Sequence, residues 1–158
     1  MTYVCNTSVP CSLRAWNNYA GYSKYDNELP NHKDTLDYFL TLVPEGLSTI
    51  TIVAHYLHIF VPWLSLIQSD ALFVVREQHI YIIKRIGTKW LELDTTLKNT
   101  YDSIQEVSIH LENARYIVIL FPTSELLTLR RCIRLWIPKR IPYYIDFKNY
   151  LMNMPYIR

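Results

Sequence analysis

Three residues of this chain could together perform nucleophilic catalysis: Cys11, His79 and Asp94. His79 and Asp94 belong to one stretch, residues 71–96 (ALFVVREQHIYIIKRIGTKWLELDTT), which is rich in Val, Ile, Phe and Tyr. This composition predicts a strand, a turn at Gly87 and a second strand. Side chains alternate between the faces of a strand, so such a turn pairs His79 with position 94 or 96 and places both side chains on one face.

A carboxylate beside a histidine fixes the ring tautomer and stabilises the imidazolium that forms when a nucleophile loses its proton. Cys11 is the candidate nucleophile, because Ser8 as a cap and Pro10 in the first turn predict a helix start around it. The helix dipole and the backbone N–H groups there favour a thiolate. A lone cysteine at such a position is more often a small buried residue, and the His79–Asp94 pair is what favours catalysis.

The length and composition exclude several classes of protein. The 158 residues, 50% of them hydrophobic, suit one domain with a sizeable core. A net charge of +2 predicts no nucleic-acid partner. Three cysteines are too few for a disulfide framework, and no signal peptide is visible, so we expect the cytoplasm or another reducing intracellular compartment.

Two weaker signals lie in the region between Glu45 and Asp70, which contains no Asp, Glu, Lys or Arg. The run is long enough to cross a bilayer, but its two histidines and Pro62 disfavour a membrane span. His55 and His58, three residues apart, have no cysteine or carboxylate pattern beside them. We therefore expect no membrane span, no metal site and no cofactor.

The remaining pattern predicts an α+β fold. Helices are expected at residues 11–19, 34–42, 49–59, 103–113 and 124–137, an extended segment at 60–67, a loop at 99–102 and a buried strand at 115–121 (RYIVILF). Arg130, Arg131 and Arg134 would form the solvated face of the last helix. We assign residues 1–137 to one domain and residues 138–158 to a Tyr-rich C-terminal extension of unassigned fold.

The order Cys11, His79, Asp94 resembles that of papain-like cysteine peptidases, and more narrowly of the Josephin family of deubiquitinases. That family places its nucleophile in a segment ending in paired asparagines, as in CSLRAWNN here. Its histidine precedes a strand, a glycine turn and a tryptophan four positions before the third catalytic residue, as in EQHIYIIKRIGTKWLELD. The likeness covers about residues 6–18 and 71–120.

The resemblance implies a papain-like fold, in which an N-terminal helix carries the nucleophile and packs on a mainly antiparallel sheet. It implies a catalytic triad of Cys11, His79 and Asp94, with Asn6 and the backbone N–H of Cys11 as the oxyanion hole. Asp94 stands where the family usually has asparagine, Asn6 where it has glutamine, and the segment between Cys11 and His79 is shorter than in the family. The implied substrate is ubiquitin or a ubiquitin-like conjugate, cleaved by a monomer. Trp90 or Tyr81 would line the substrate cleft.

Two other functions stay open at the level of sequence. The chain could be a cysteine peptidase that processes a leader peptide or a viral polyprotein, since its abundant Ile, Tyr and Asn are typical of an AT-rich, possibly viral, genome. A viral enzyme would act inside the host cell. Alternatively, the domain could be a non-catalytic interaction module that uses its Tyr-rich tail or the arginine face of the last helix.

Overall fold

The centre of the fold is an open antiparallel sheet, seen in a computed structural model that describes residues 10–25, 36–77, 79–111 and 113–136. The described residues form six strands in the order β1-β6-β2-β3-β4-β5. The strands are β1 Leu47–Val53, β2 Ala71–Arg76, β3 His79–Ile86, β4 Lys89–Leu93, β5 Leu97–Tyr101 and β6 Tyr116–Pro122.

Helices cover both faces of this sheet. They are α1 Cys11–Ala20, α2 Leu36–Thr41, α3 Leu57–Phe60, α4 Ile104–His110 and α5 Leu126–Trp136, with short 3₁₀ turns at Ala54–Tyr56, Val61–Trp63 and Thr123–Glu125. One core cluster joins α1 and α2 to a sheet face that includes Phe73 and Ile82, and the other joins α3, α4 and α5 to the face that includes Val74 and Ile83. The inner strands are therefore apolar on both sides.

The sequence predicts the most buried elements correctly. The run RYIVILF is β6, which lies between β1 and β2 with both faces buried. Helices begin at Cys11 and at Ile104, and the latter is capped by Ser103, whose side chain accepts a hydrogen bond from the backbone N–H of Glu106. Helix α5 buries Leu129 and exposes Arg130, Arg131 and Arg134.

Three local predictions are wrong. The expected helix at 49–59 is instead β1, because its β-branched residues pack on both faces of the sheet, followed by short helical turns. Residues 60–67 are 3₁₀ and other turns rather than an extended segment, and Pro62 stands at the start of one of them. The loop expected at 99–102 is mostly β5, an edge strand whose exposed polar residues carry no apolar alternation.

The expected single hairpin at 71–96 contains three strands. β2 ends at Arg76 and pairs with β3, and β3 turns at Gly87 to pair with β4. The first turn was missed because residues 76–79 (REQH) contain none of the Gly, Pro, Asn or Asp residues that usually mark a turn. Within the described ranges, none of the helices combines the length and the apolar character needed to cross a membrane. The C-terminal extension at 138–158 lies outside the described residues.

Candidate active site

His79 and Asp94 form a close polar pair at one end of the sheet. His79 is the first residue of β3, and Asp94 follows the last residue of β4. The two strands pair with Ile82 opposite Leu93, and extending this register by one residue places Tyr81 opposite Asp94. His79 is then a diagonal neighbour of Asp94 on the same face. His79 Nε2 lies 2.7 Å from Asp94 Oδ2. Strand parity and the glycine turn therefore predicted this contact correctly.

Cys11 lies beside the same end of β3. It is the first residue of α1, preceded by Pro10 at the N-cap, and it is buried with 5% of its surface exposed. The register of β3 with β4 ends at Ile82, so no β4 residue stands opposite Ile80. The backbone N–H of Ile80 instead donates to Cys11 Sγ at 3.4 Å. The thiol thus contacts the residue that directly follows His79, and an N–H donor and a helix start both favour its thiolate.

Asp94 is also held by helix α1. Arg14 Nε lies 3.4 Å from Asp94 Oδ1, in an ion pair whose geometry falls short of a hydrogen bond. Asn18 Nδ2 donates to the backbone carbonyl of Asp94 at 3.0 Å. Cys11, Arg14 and Asn18 are spaced by three and four residues, so one helix face carries all of them toward the end of the sheet. Sequence reasoning missed Arg14 and Asn18, because their spacing places them on the helix face of Cys11 but does not indicate what that face contacts.

The charges around Asp94 keep it ionised. Burial alone would raise the pKa of its carboxyl group, but the hydrogen bond and the charge of His79 act in the opposite direction. The cations Arg14 and Lys98 add to that effect, and the pKa of Asp94 is held below its ordinary value of 3.8. Because the carboxylate carries no proton at neutral pH, the proton in the 2.7 Å contact belongs to Nε2 of His79. The ring nitrogen left for exchange with a nucleophile is Nδ1.

A polar cleft of about 510 Å³ opens on the other side of Asp94. Its lining residues come from β2 to β5 and from the end of α4: Arg76, Tyr81, Glu92, Asp94, Lys98, Asn99, Tyr101, His110 and Leu111. The Tyr81 ring lies 5.7 Å from the imidazole of His79 between centroids. Tyr81 lines this cleft and Trp90 does not, although both side chains are buried in the same core cluster. That either ring contacts a substrate stays a prediction.

The other residues singled out in the sequence have separate positions. Asn6 lies outside the described residues. His58 Nδ1 lies 2.8 Å from the carbonyl of His55, a contact within one helical turn. In the part of the chain that the structure describes, no three His, Cys, Asp or Glu side chains are grouped so that they could hold a metal ion.

Comparisons with known proteins do not assign this chain to a family. No protein-family model matches it, and no curated protein matches it significantly.

Proposed function

We propose that the chain is a cysteine peptidase that hydrolyses ubiquitin or ubiquitin-like conjugates through Cys11, His79 and Asp94. The observation that carries the proposal is the 2.7 Å contact between His79 and an ionised Asp94, with Cys11 Sγ at 3.4 Å from the next backbone N–H along β3. A nucleophile, a base and a group that orients the base are the components of nucleophilic acyl transfer. The α+β fold, with α1 packed against β3, is compatible with a papain-like peptidase.

In the first half of the reaction, the Cys11 thiolate attacks the carbonyl carbon of the glycine that precedes the scissile bond. A carbon–sulfur bond forms, and the carbonyl oxygen becomes an oxyanion. The backbone N–H of Cys11 and the side chain of Asn6 are the proposed donors to it, on the family resemblance alone. Nδ1 of His79 holds the proton that it took from the Cys11 thiol. The carbonyl forms again as the carbon–nitrogen bond breaks, and Nδ1 gives this proton to the leaving lysine amine.

In the second half, His79 takes a proton from water, and the resulting hydroxide attacks the thioester. The carbon–sulfur bond breaks, so that a glycine carboxylate and the Cys11 thiolate are released. Asp94 keeps the ring oriented and stabilises the imidazolium in both halves. Arg14 and Asn18 contact Asp94 and not the reacting atoms, so their role is to position it.

The choice of ubiquitin as substrate depends on the Josephin resemblance and on the access to Cys11. A thiol on a residue that is only 5% exposed accepts a substrate with small residues next to the scissile bond more readily than one with bulky residues. A C-terminal Gly-Gly tail meets this requirement. The alternative peptidase, which processes a leader peptide or a polyprotein, uses the same chemistry on a different sequence.

A ubiquitin probe with a C-terminal electrophile tests the proposal. We expect covalent labelling at Cys11, loss of labelling in Cys11→Ser and His79→Ala, and unchanged labelling in the control Cys132→Ser. Labelling of Cys11 by a general thiol electrophile but not by the ubiquitin probe would favour another peptidase substrate. No selective labelling of Cys11 by either reagent would favour a non-catalytic module and contradict the proposal.

A further inference from the structure

The polar cleft beside Asp94 lies on the far side of His79 from the nucleophile. Cys11 belongs to the core cluster on the sheet face of Ile80 and Ile82, whereas the cleft opens on the opposite face, which holds Tyr81 and Glu92. In the proposed reaction the histidine gives its proton to the leaving amine, so the leaving group must contact the imidazole. A cleft that shares Asp94 with the catalytic pair and contains a ring beside His79 is therefore placed to hold the residues of the leaving group.

Two cations of this cleft form no close ion pair, although the charge of Lys98 contributes to the low pKa of Asp94. Arg76 donates from Nε to the hydroxyl of Tyr81 at 3.2 Å, and its guanidinium carbon lies 5.9 Å from the centre of that ring. Lys98 is exposed on the edge strand β5. Neither forms an ion pair with a carboxylate of the described ranges. The other basic group in the lining is His110, which is exposed at the end of α4.

The two carboxylates of the cleft are already engaged. Asp94 is paired with His79 and Arg14. Glu92 Oε1 accepts hydrogen bonds from the hydroxyl of Tyr101 at 2.8 Å and, more weakly, from Asn99 at 3.5 Å. Glu92 is thus hydrogen-bonded by neutral groups alone among the described residues. The cleft therefore contains two cations, Arg76 and Lys98, and one carboxylate, Glu92, that form no ion pair within the described ranges.

A second surface depression, next to Arg76, also contains arginine side chains. A neighbouring depression of about 500 Å³ is lined by Arg76, Glu77, Asn113 and Arg115. Glu77 is exposed and opposes the two arginines there. Including it and Glu92, the two neighbouring depressions contain three strong cations and two carboxylates that have no cationic partner among the described residues. Positive charge is thus in excess by one.

The geometry points to an acidic peptide segment, on the leaving-group side of the scissile bond, as the ligand of this cleft. This inference rests on the proposed peptidase function and adds the charge of its preferred substrate. Arg76 and Lys98 are the residues that would contact the acidic side chains, and the Tyr81 hydroxyl holds Arg76 in position. The cleft is strongly polar, which suits carboxylates better than an apolar side chain.

Substrates that differ only in the leaving group test the inference. Ubiquitin would be joined through an isopeptide bond to lysine in three pentapeptides, Gly-Glu-Lys-Glu-Gly, Gly-Gln-Lys-Gln-Gly and Gly-Arg-Lys-Arg-Gly, and also to aminomethylcoumarin. We expect the wild type to cleave the acidic conjugate with a kcat/KM roughly three- to tenfold above that of the neutral one. The double variant R76E/K98E should prefer the basic conjugate, when each of its rates is expressed relative to its own rate on the coumarin substrate.

Two further measurements distinguish a failure of this inference from a failure of the proposed peptidase function. Arg85→Glu is the matched control, because Arg85 is an exposed arginine of β3 outside the cleft, and it should leave the charge preference unchanged. Equal cleavage of the three conjugates would overturn the inference and leave the peptidase intact. If no ubiquitin substrate is cleaved, fluorescence anisotropy with the labelled free pentapeptides decides. Selective binding of the acidic pentapeptide that is lost in R76E/K98E would then support the acidic ligand and contradict only the proposed function. Binding of the pentapeptides without charge selectivity would contradict both.

Discussion

Asp94 is the residue at which the largest number of candidate-site contacts meet. One carboxylate oxygen contacts His79, the other faces Arg14, and the backbone carbonyl accepts from Asn18. The catalytic interpretation and a purely structural one assign different consequences to its removal. An orienting group affects the rate per folded molecule, whereas a turn residue affects only the fraction that is folded.

Two substitutions at Asp94 separate these interpretations. Asp94→Asn keeps an oxygen that can accept from Nε2, so we expect it to retain substantial turnover. Asp94→Ala removes the acceptor and should lose at least about tenfold more, since proton transfer by a well-placed base contributes roughly 10²–10⁴ in rate. Turnover of a ubiquitin substrate and thermal unfolding would be measured together. An identical rate per folded molecule in the wild type and both variants would remove Asp94 from the site.

The dependence of folding stability on pH in the acidic range provides a second prediction for the same residue. The pKa of Asp94 is lower in the folded chain than its ordinary 3.8, so the ionised carboxylate stabilises the fold above that pH. This contribution is lost as the pH falls through the lower, folded value. The melting temperature of the wild type should therefore decrease more steeply below about pH 4 than that of Asp94→Asn. Asp102→Asn, which changes an exposed carboxylate paired with Lys89, is the control. If the melting temperatures of the wild type and of Asp94→Asn decreased in parallel as the pH falls, the assignment would be contradicted.

At the scale of elements, the β3–β4 hairpin decides whether the pair forms. Gly87 has φ of +63°, and a Cβ added there would meet no atom within 4 Å. The loss in the free energy of unfolding on substitution of Gly87 is thus set by the backbone conformation alone. Asparagine tolerates this left-handed region and a β-branched residue does not.

Gly87→Val should consequently lower the free energy of unfolding by about 1–3 kcal/mol, and Gly87→Asn by less than about 1 kcal/mol. Urea denaturation of both variants measures the difference. Equal losses would show that the turn does not need a positive φ, and the alignment of His79 with Asp94 would then have to depend on other contacts.

The same hairpin explains how much of the site was readable in the sequence. The period of two along a strand and a glycine turn are local properties, so they are sufficient to pair His79 with Asp94. Arg14 and Asn18 reach Asp94 only because α1 packs along β3, and the sequence between them does not specify that contact. The cleft is less predictable still, because its cations Arg76 and Lys98 belong to two non-adjacent strands, β2 and β5.

At the scale of the whole molecule, the sequence predicted an α+β fold with a mainly antiparallel sheet, which is confirmed, but it did not predict all six strands. Buried strands such as β6 were recognisable from continuous apolar runs. The edge strands were not. Most of β1 lies in the region 49–59 that was predicted as a helix, and the Ser48 hydroxyl near its start shares a hydrogen bond of 2.7 Å with Thr123. β5 is exposed at Leu97, Lys98, Asn99 and Thr100, and only pairing with β4 reveals it as a strand.

The sheet also separates the two described cysteines into different environments. Cys11 lies in the cluster of α1 beside His79, whereas Cys132 packs from α5 against the opposite face. Burial raises the pKa of the Cys132 thiol. Cys11 stands at a helix start and accepts a hydrogen bond from the residue next to His79, so the two thiols should differ in reactivity if the proposed site is catalytic.

Alkylation by iodoacetamide at about pH 6, mapped by mass spectrometry, tests the catalytic pairing of Cys11 and His79 without any assumption about substrate. We expect Cys11 to react at least about tenfold faster than Cys132 in the wild type, because the thiolate is the nucleophile. His79→Ala should remove most of that advantage, and the control His110→Ala should preserve it. Equal rates at the two cysteines in the wild type, or an advantage of Cys11 that persists without His79, would contradict a thiolate–imidazole pair at this site.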